Sequence, residues 1–130
     1  MNKLILLKNK LEFIQTKEST KLDEGGYVYL IYSGGRSKIG ISTEPDERIH
    51  TIKIDSPFPV FTICVRYFYS AKKVEKLLHK YYWEFRIKGE WFELTRDQIF
   101  ECCDFLDLGW ATETSEKLER PIKQALLLEL

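Results

Sequence analysis

The chain has 130 residues, 44% of them hydrophobic and 31% charged, with 20 Lys+Arg against 20 Asp+Glu. That length suits one domain around one core, and the zero net charge by itself argues against a bulk nucleic-acid binder. The longest apolar runs, "LILL" and "ALLL", fall far short of the ~20 residues a membrane helix needs. No apolar leader with a small-residue cleavage site opens the chain, so a cytoplasmic location is expected.

Leu4, Leu7, Leu11 and Ile14, with lysines between them, predict an amphipathic helix over residues 3–15. It packs either on its own domain or on a second copy, the former being the simpler expectation. The polar run "TKESTKLDEGG" then acts as a linker, giving a division into residues 1–25, a domain over 26–109, and a helical tail over 110–130. "YVYLIYS" and "SKIGIS" flank "GGR" and predict a β-hairpin. "TEPDERIHTIKI" predicts a short helix with Ser42 or Thr43 as cap, Pro45 near its start, and Ile49 and Ile52 facing inward. "SPFPV" breaks that helix, and "FTICVRYFY" reads as a third strand.

The clearest helical pattern follows. Ser70 is its expected cap, and Val74, Leu77, Leu78, Tyr81, Tyr82 and Phe85 form an apolar stripe. "GEWFELT" reads as a short strand after a Gly89 turn. Thr95 and Gln98 form a capping box for the next helix, with Ile99, Cys102, Cys103 and Leu106 inward and Gly109 as its stop. After Pro121 the tail turns helix-like and apolar. Interleaved strands and helices with a leading hairpin imply an α+β layer, a small mixed sheet with helices on its faces. Cys64, Cys102 and Cys103 lack metal-ligand spacing and are expected to be buried, reduced thiols.

Several side chains could carry chemistry. Tyr27 and Tyr29 share one side of their strand, with Lys38 across the hairpin. Arg48 directly precedes the inward Ile49. Glu75, His79, Tyr82 and Arg86 recur at i, i+4, i+7 and i+11, a polar stripe that is either a solvated face or one side of a cleft. Residues 26–94 carry 11 basic against 8 acidic residues, which permits a phosphate-facing surface there. One carboxylate suffices for Mg²⁺, which keeps most of its waters and borrows phosphate oxygens. Arginine offers phosphate a planar fork, and tyrosine accepts a proton only where positive charge lowers its pKa of ~10.

In order, these residues resemble the GIY-YIG nuclease superfamily. Tyr27-Val28-Tyr29 looks like its first motif, with Tyr27 in place of glycine. Lys38-Ile39-Gly40 looks like its second, with lysine in place of tyrosine. Arg48 falls where the family carries its helix arginine, and Glu75 where it carries a metal-binding glutamate. The wider pattern "KIGIS…R…VEKLLHKYYWEFRIKGEWFEL" is similar to the branch found in phage open reading frames and meiotically up-regulated proteins. The resemblance, over roughly residues 26–95, implies a central three-stranded antiparallel sheet flanked by helices.

It also implies DNA phosphodiester cleavage with one Mg²⁺ or Mn²⁺. Tyr29 would activate or orient water, Arg48 would hold phosphate, and Glu75 would bind the ion, with Glu90 the second candidate ligand. Lys38 would touch phosphate or depress the Tyr29 pKa, with Tyr27 and His79 as further site residues. Arg36, Lys38, Arg48 and Arg86 would contact DNA or RNA. Two positions depart from the family: Ile52 stands where relatives carry histidine or tyrosine, and no asparagine follows the glutamate helix. The alternatives are a catalytically inactive nucleic-acid-binding or assembly module, and self-association as a homodimer through the terminal helices.

Overall fold

The computed structural model describes residues 2–15 and 25–119. The first helix, α1 (Lys3–Ile14), is capped by Asn2, whose Oδ1 accepts the Ile5 N–H at 2.9 Å. Leu7 and Leu11 are buried in the domain's own core, so α1 packs intramolecularly. Strands β1 (Gly26–Ser33) and β2 (Arg36–Ser42) pair antiparallel through the expected hairpin. Its turn needs positive φ at Gly34 and Gly35, 58° and 80°, which side chains with a Cβ tolerate poorly.

After β2 come α2 (Pro45–Asp55), β3 (Val60–Phe68) and α3 (Ala71–Tyr81), then a 3₁₀ turn over Trp83–Phe85. Short strands β4 (Arg86–Lys88) and β5 (Trp91–Phe92), α4 (Arg96–Leu106) and α5 (Glu113–Glu119) complete the described chain. The sheet order is β3-β1-β2-β5-β4 with every pairing antiparallel. The expected mixed or three-stranded sheet is therefore corrected to a five-stranded antiparallel one. The chain turns at Gly89, lays Trp91 and Phe92 beside Lys38 and Ser37, and thereby extends the β2 edge by two strands.

Alternation sorts the side chains onto two faces. Val28, Leu30, Ile39, Cys64, Phe68 and Phe92 form the main core with α1, α3 and α4. Tyr29, Ile31 and Val65 form a smaller cluster with Ile49 of α2, and with Ile52, Trp91 and Leu118 at its margin. The outer edge of β3 is closed locally: Tyr67 and Trp110 exchange backbone hydrogen bonds at 2.8 and 2.9 Å. The buried Glu119 carboxylate accepts the Val65 N–H and a bond from Arg66, so α5 blunts an edge otherwise open to pairing.

Some local expectations need revision. Ser70 is the N-cap of α3 by position, yet its hydroxyl is buried without a partner. Neither Ser42 nor Thr43 caps α2; Glu44 is its N-cap, and Ser42 Oγ instead accepts the Glu44 N–H at 3.0 Å. Phe85 leaves the apolar stripe because α3 ends at Tyr81, and it stands exposed. Gly109 lies beyond the end of α4, and its lack of a side chain matters for packing: a Cβ there would come within 2.6 Å of the Phe68 ring. The Thr95–Gln98 capping box forms as expected. All three cysteines are free thiols; Cys64 and Cys102 are buried as expected, but Cys103 is only half-buried, packed against the margin of the core. The helix expected after Pro121 lies outside the described residues.

Candidate active site

The smaller face of the sheet carries the cluster. Tyr29 on β1 pairs with Gly40 on β2, and its ring leans across the glycine. A Cβ at residue 40 would come within 2.5 Å of the ring Cζ and closer still to the hydroxyl. Glycine in "KIG" is therefore what lets a buried tyrosine cross to the next strand and present its oxygen there.

Burial pushes the Tyr29 pKa up, Arg48 beside the hydroxyl pulls it down, and the charges of Glu90 and Glu75 push it up again. The net direction is upward. Burial and two carboxylates outweigh one exposed guanidinium, so the expected depression of this pKa does not occur in the protein alone. The cation acting on Tyr29 is Arg48, supplied by the first turns of α2.

Lys38 is not the surface residue that its neighbourhood in the sequence suggests. It is 8% exposed, its ammonium lies 3.0 Å from a Glu90 carboxylate oxygen, and it sits 5.4 Å from the Trp91 ring. The β2–β5 register places Lys38 directly opposite Trp91, and the Glu90 carbonyl accepts the Ile39 N–H at 3.1 Å. The short hairpin after α3 thus carries Glu90 to the open end of β2.

Glu75, on α3, meets Glu90 there. Burial first, then the charge of Glu90 and a hydrogen bond with it, raise the Glu75 pKa to about 7, against the pull of Lys38 and Lys72. Its Oε2 is buried and without a hydrogen-bond partner. A buried, unpartnered carboxylate oxygen beside a second carboxylate is costly unless a proton or a cation occupies the gap. Two acidic side chains plus phosphate and water oxygens suit one hard divalent ion such as Mg²⁺. Among the described residues, no group of three or more His, Cys, Asp and Glu forms a closed cage.

Tyr29, Lys38, Arg48, Glu75 and Glu90 therefore converge, while other expected site residues do not join them. The Tyr27 hydroxyl lies 3.2 Å from Thr112 Oγ1 and its ring packs edge-on to Tyr67. His79 Nε2 lies 2.8 Å from the Ile39 carbonyl and its ring packs against Phe92, on the main-core face. The polar stripe dissolves, because Tyr82 is buried with its hydroxyl donating to Glu101 at 2.8 Å. Arg86 lies outside the helix, on β4. Arg36 stands exposed beside the hairpin turn, four residues from Gly40, about 13 Å along the strand. Trp91 is the neighbour that sequence reasoning passed over; its place in "GEWF", next to the candidate Glu90, was the available signal.

An α+β domain whose antiparallel sheet sets a tyrosine and a lysine beside an arginine and a glutamate from two flanking helices, with a second glutamate from the last hairpin turn, defines the class. The chain belongs to the T5orf172 domain family, whose model matches residues 26–107, from the first residue of β1 to just past the end of α4. No curated protein and no solved structure matches the chain. No described helix is long and apolar enough to cross a membrane.

Proposed function

We propose that this protein is a divalent-metal-dependent nuclease of the GIY-YIG type that hydrolyses phosphodiester bonds in DNA. One observation carries the reading: the unpartnered, buried Glu75 oxygen stands beside Glu90, within reach of Lys38 and next to the Tyr29–Arg48 pair. The T5orf172 match agrees with a nuclease-like or DNA-binding role.

Glu75 and Glu90 would hold one Mg²⁺ or Mn²⁺, whose chemistry is to lower the pKa of water and to screen phosphate charge. Lys38 fixes Glu90 and offsets part of the repulsion between the carboxylates. Arg48 is exposed and forked, suited to gripping the non-bridging phosphate oxygens as their charge grows. Tyr29, held as a neutral phenol by burial, orients the attacking water through its oxygen. This favours the orienting role over a phenolate base.

The raised Tyr29 pKa also motivates a second reading, a domain that binds nucleic acid without cutting it. Cleavage of supercoiled plasmid in Mg²⁺ or Mn²⁺ separates the two. A nuclease nicks or cuts the plasmid, EDTA and Glu75→Gln abolish the cut, and Arg48→Ala slows it about 10²–10³-fold. Cleavage that survives Glu75→Gln overturns the metal assignment. Salt-sensitive binding without any cleavage moves the assignment to the binding domain.

A further inference from the structure

Three large apolar side chains stand exposed within five residues just before the Gly89 turn: Trp83 at 58%, Phe85 at 38% and Ile87 at 41%. Two exposed cations, Arg86 and Lys88, alternate with them, and one acid, Glu84, offsets part of that charge. The Arg86 guanidinium lies over the Trp83 ring at 4.8 Å, while its Nε–H donates to the Gly89 carbonyl at 2.8 Å. Gly89, at φ 56°, turns that carbonyl back toward the arginine. Cation and indole are thus held as a preformed stack, which lowers the ordering cost of binding a planar ligand.

The segment is continuous with the candidate site. Lys88 pairs with Trp91, Trp91 with Lys38, and Lys38 with Ile31, one row across four strands. That row lies on the face of Tyr29 and Gly40. Strands sit ~4.8 Å apart, so Lys88 is about 10 Å from Lys38 along it. A chain leaving the site over this edge meets a lysine, an indole and a second lysine; the Trp83–Arg86 stack belongs to the same outer strand, with Arg86 across a register shift from Lys88 and opposite Phe92.

We propose that this ledge of Trp83, Arg86, Lys88 and Trp91 binds an unpaired nucleic-acid strand leading into the site. Bases stack on the indoles, and phosphates meet Arg86 and Lys88. The inference rests on the phosphodiester reading and narrows its substrate class to DNA with a single-stranded segment. A duplex buries its base faces, so it would engage the cations and leave the exposed indole unused. A second copy docking here would bring Arg86 and Lys88 against their own counterparts. An open aromatic face between cations matches single strands, whose bases all offer a π surface.

The test is anisotropy titration, in EDTA, of three labelled 12-nucleotide probes: a single-stranded oligothymidine, the same backbone with abasic residues, and a duplex. Wild type binds the intact strand about 5- to 100-fold tighter than the abasic backbone, the value of a stacked base. Trp83→Ala, an exposed change that leaves the core alone, removes most of that preference and leaves duplex binding within about twofold. Lys88→Gln weakens intact and abasic strands alike and shallows the salt dependence.

Equal wild-type affinity for intact and abasic strands overturns the ledge without any variant. So does a Trp83→Ala loss that is the same for strand and duplex, or a dimer in sedimentation that only Trp83→Ala dissolves. If these fail while plasmid cleavage still depends on Glu75, the ledge alone is wrong. If wild type neither binds any probe nor cuts plasmid, the phosphodiester reading falls with it.

Discussion

Replacing Glu75 by glutamine should make the metal-free protein more stable above neutral pH. The carboxyl titrates near 7 in the folded chain against an ordinary value of 4.5, because burial and the Glu90 charge disfavour its ionised form. Folded protein therefore holds this proton more tightly than unfolded protein does. The associated stability is fully present below pH 4.5 and is lost as pH rises through about 7. A shift from 4.5 to about 7 is worth about 3 kcal/mol at full burial. Glu75 is only part-buried, with Lys38 and Lys72 near it, so solvent screening reduces this to about 1.5 kcal/mol.

Glutamine keeps the shape, removes the charge, and can donate an amide hydrogen to Glu90. Urea unfolding in EDTA at pH 5, 6, 7 and 8.5 reads the difference, with the denaturant slope as a check that the unfolded states match. The two proteins should be nearly equal at pH 5, with Glu75→Gln ahead by about 1.5 kcal/mol at pH 8.5. Adding Mg²⁺ should then stabilise wild type more at pH 8.5 than at pH 5, since binding needs the deprotonated pair, and should leave Glu75→Gln unmoved. A difference independent of pH, or a variant less stable than wild type at pH 8.5, would refute the account of a strained carboxylate kept for ligand binding.

Gly40→Ala drives a methyl into the Tyr29 ring and should cost about 1–3 kcal/mol in urea unfolding; any cleavage activity should fall with it, because the hydroxyl loses its position. His79→Ala removes the contact to the Ile39 carbonyl and the packing on Phe92, costing about 1–2 kcal/mol of stability while leaving plasmid cleavage per folded molecule unchanged; a large loss of activity at full folding would restore His79 to the site. Glu119→Ala leaves the Val65 N–H without a partner and takes the carboxylate from Arg66 Nη1, which keeps only the Val65 carbonyl at 2.8 Å. Asp107 still holds the other arm at 2.8 Å, so about 2–4 kcal/mol is expected, toward the lower part of the range for broken buried pairs, and hydrogen exchange should rise first at the outer edge of β3.

How much of this was legible in the sequence depended on how local the cause was. The Gly34–Gly35 turn and the Thr95–Gln98 box are set by residues within four positions of each other, and both formed as read. Tyr29, Arg48 and Glu75 were found through their order and spacing along the chain, and the structure brings them together. The short strand read in "GEWFELT" is present as β5, cut to two residues, but β4 spans only three and neither is long enough for periodicity to give its pairing. They exist because β2 offers an unpaired edge at Ser37 and Lys38, a fact about a strand some fifty residues earlier.

That same distant pairing reverses two judgements made from neighbours alone. Lys38 looks exposed beside serines and glycines, yet the hairpin buries it and ties it to Glu90. Glu75 and His79 are one helical turn apart, and spacing cannot say that Glu75 reaches a second carboxylate while His79 meets a backbone carbonyl under the sheet. The sign of the Tyr29 perturbation follows the same rule. Counting nearby cations predicts a lowered pKa, but the desolvation that wins comes from the packing of β1 between its neighbours. The chemistry of the site is therefore set by the edge of the sheet as much as by its motifs. A change at Gly89, which opens the last hairpin, should disturb Glu75 and Lys38 without touching either, whereas one at Trp91 also removes the ring against Lys38.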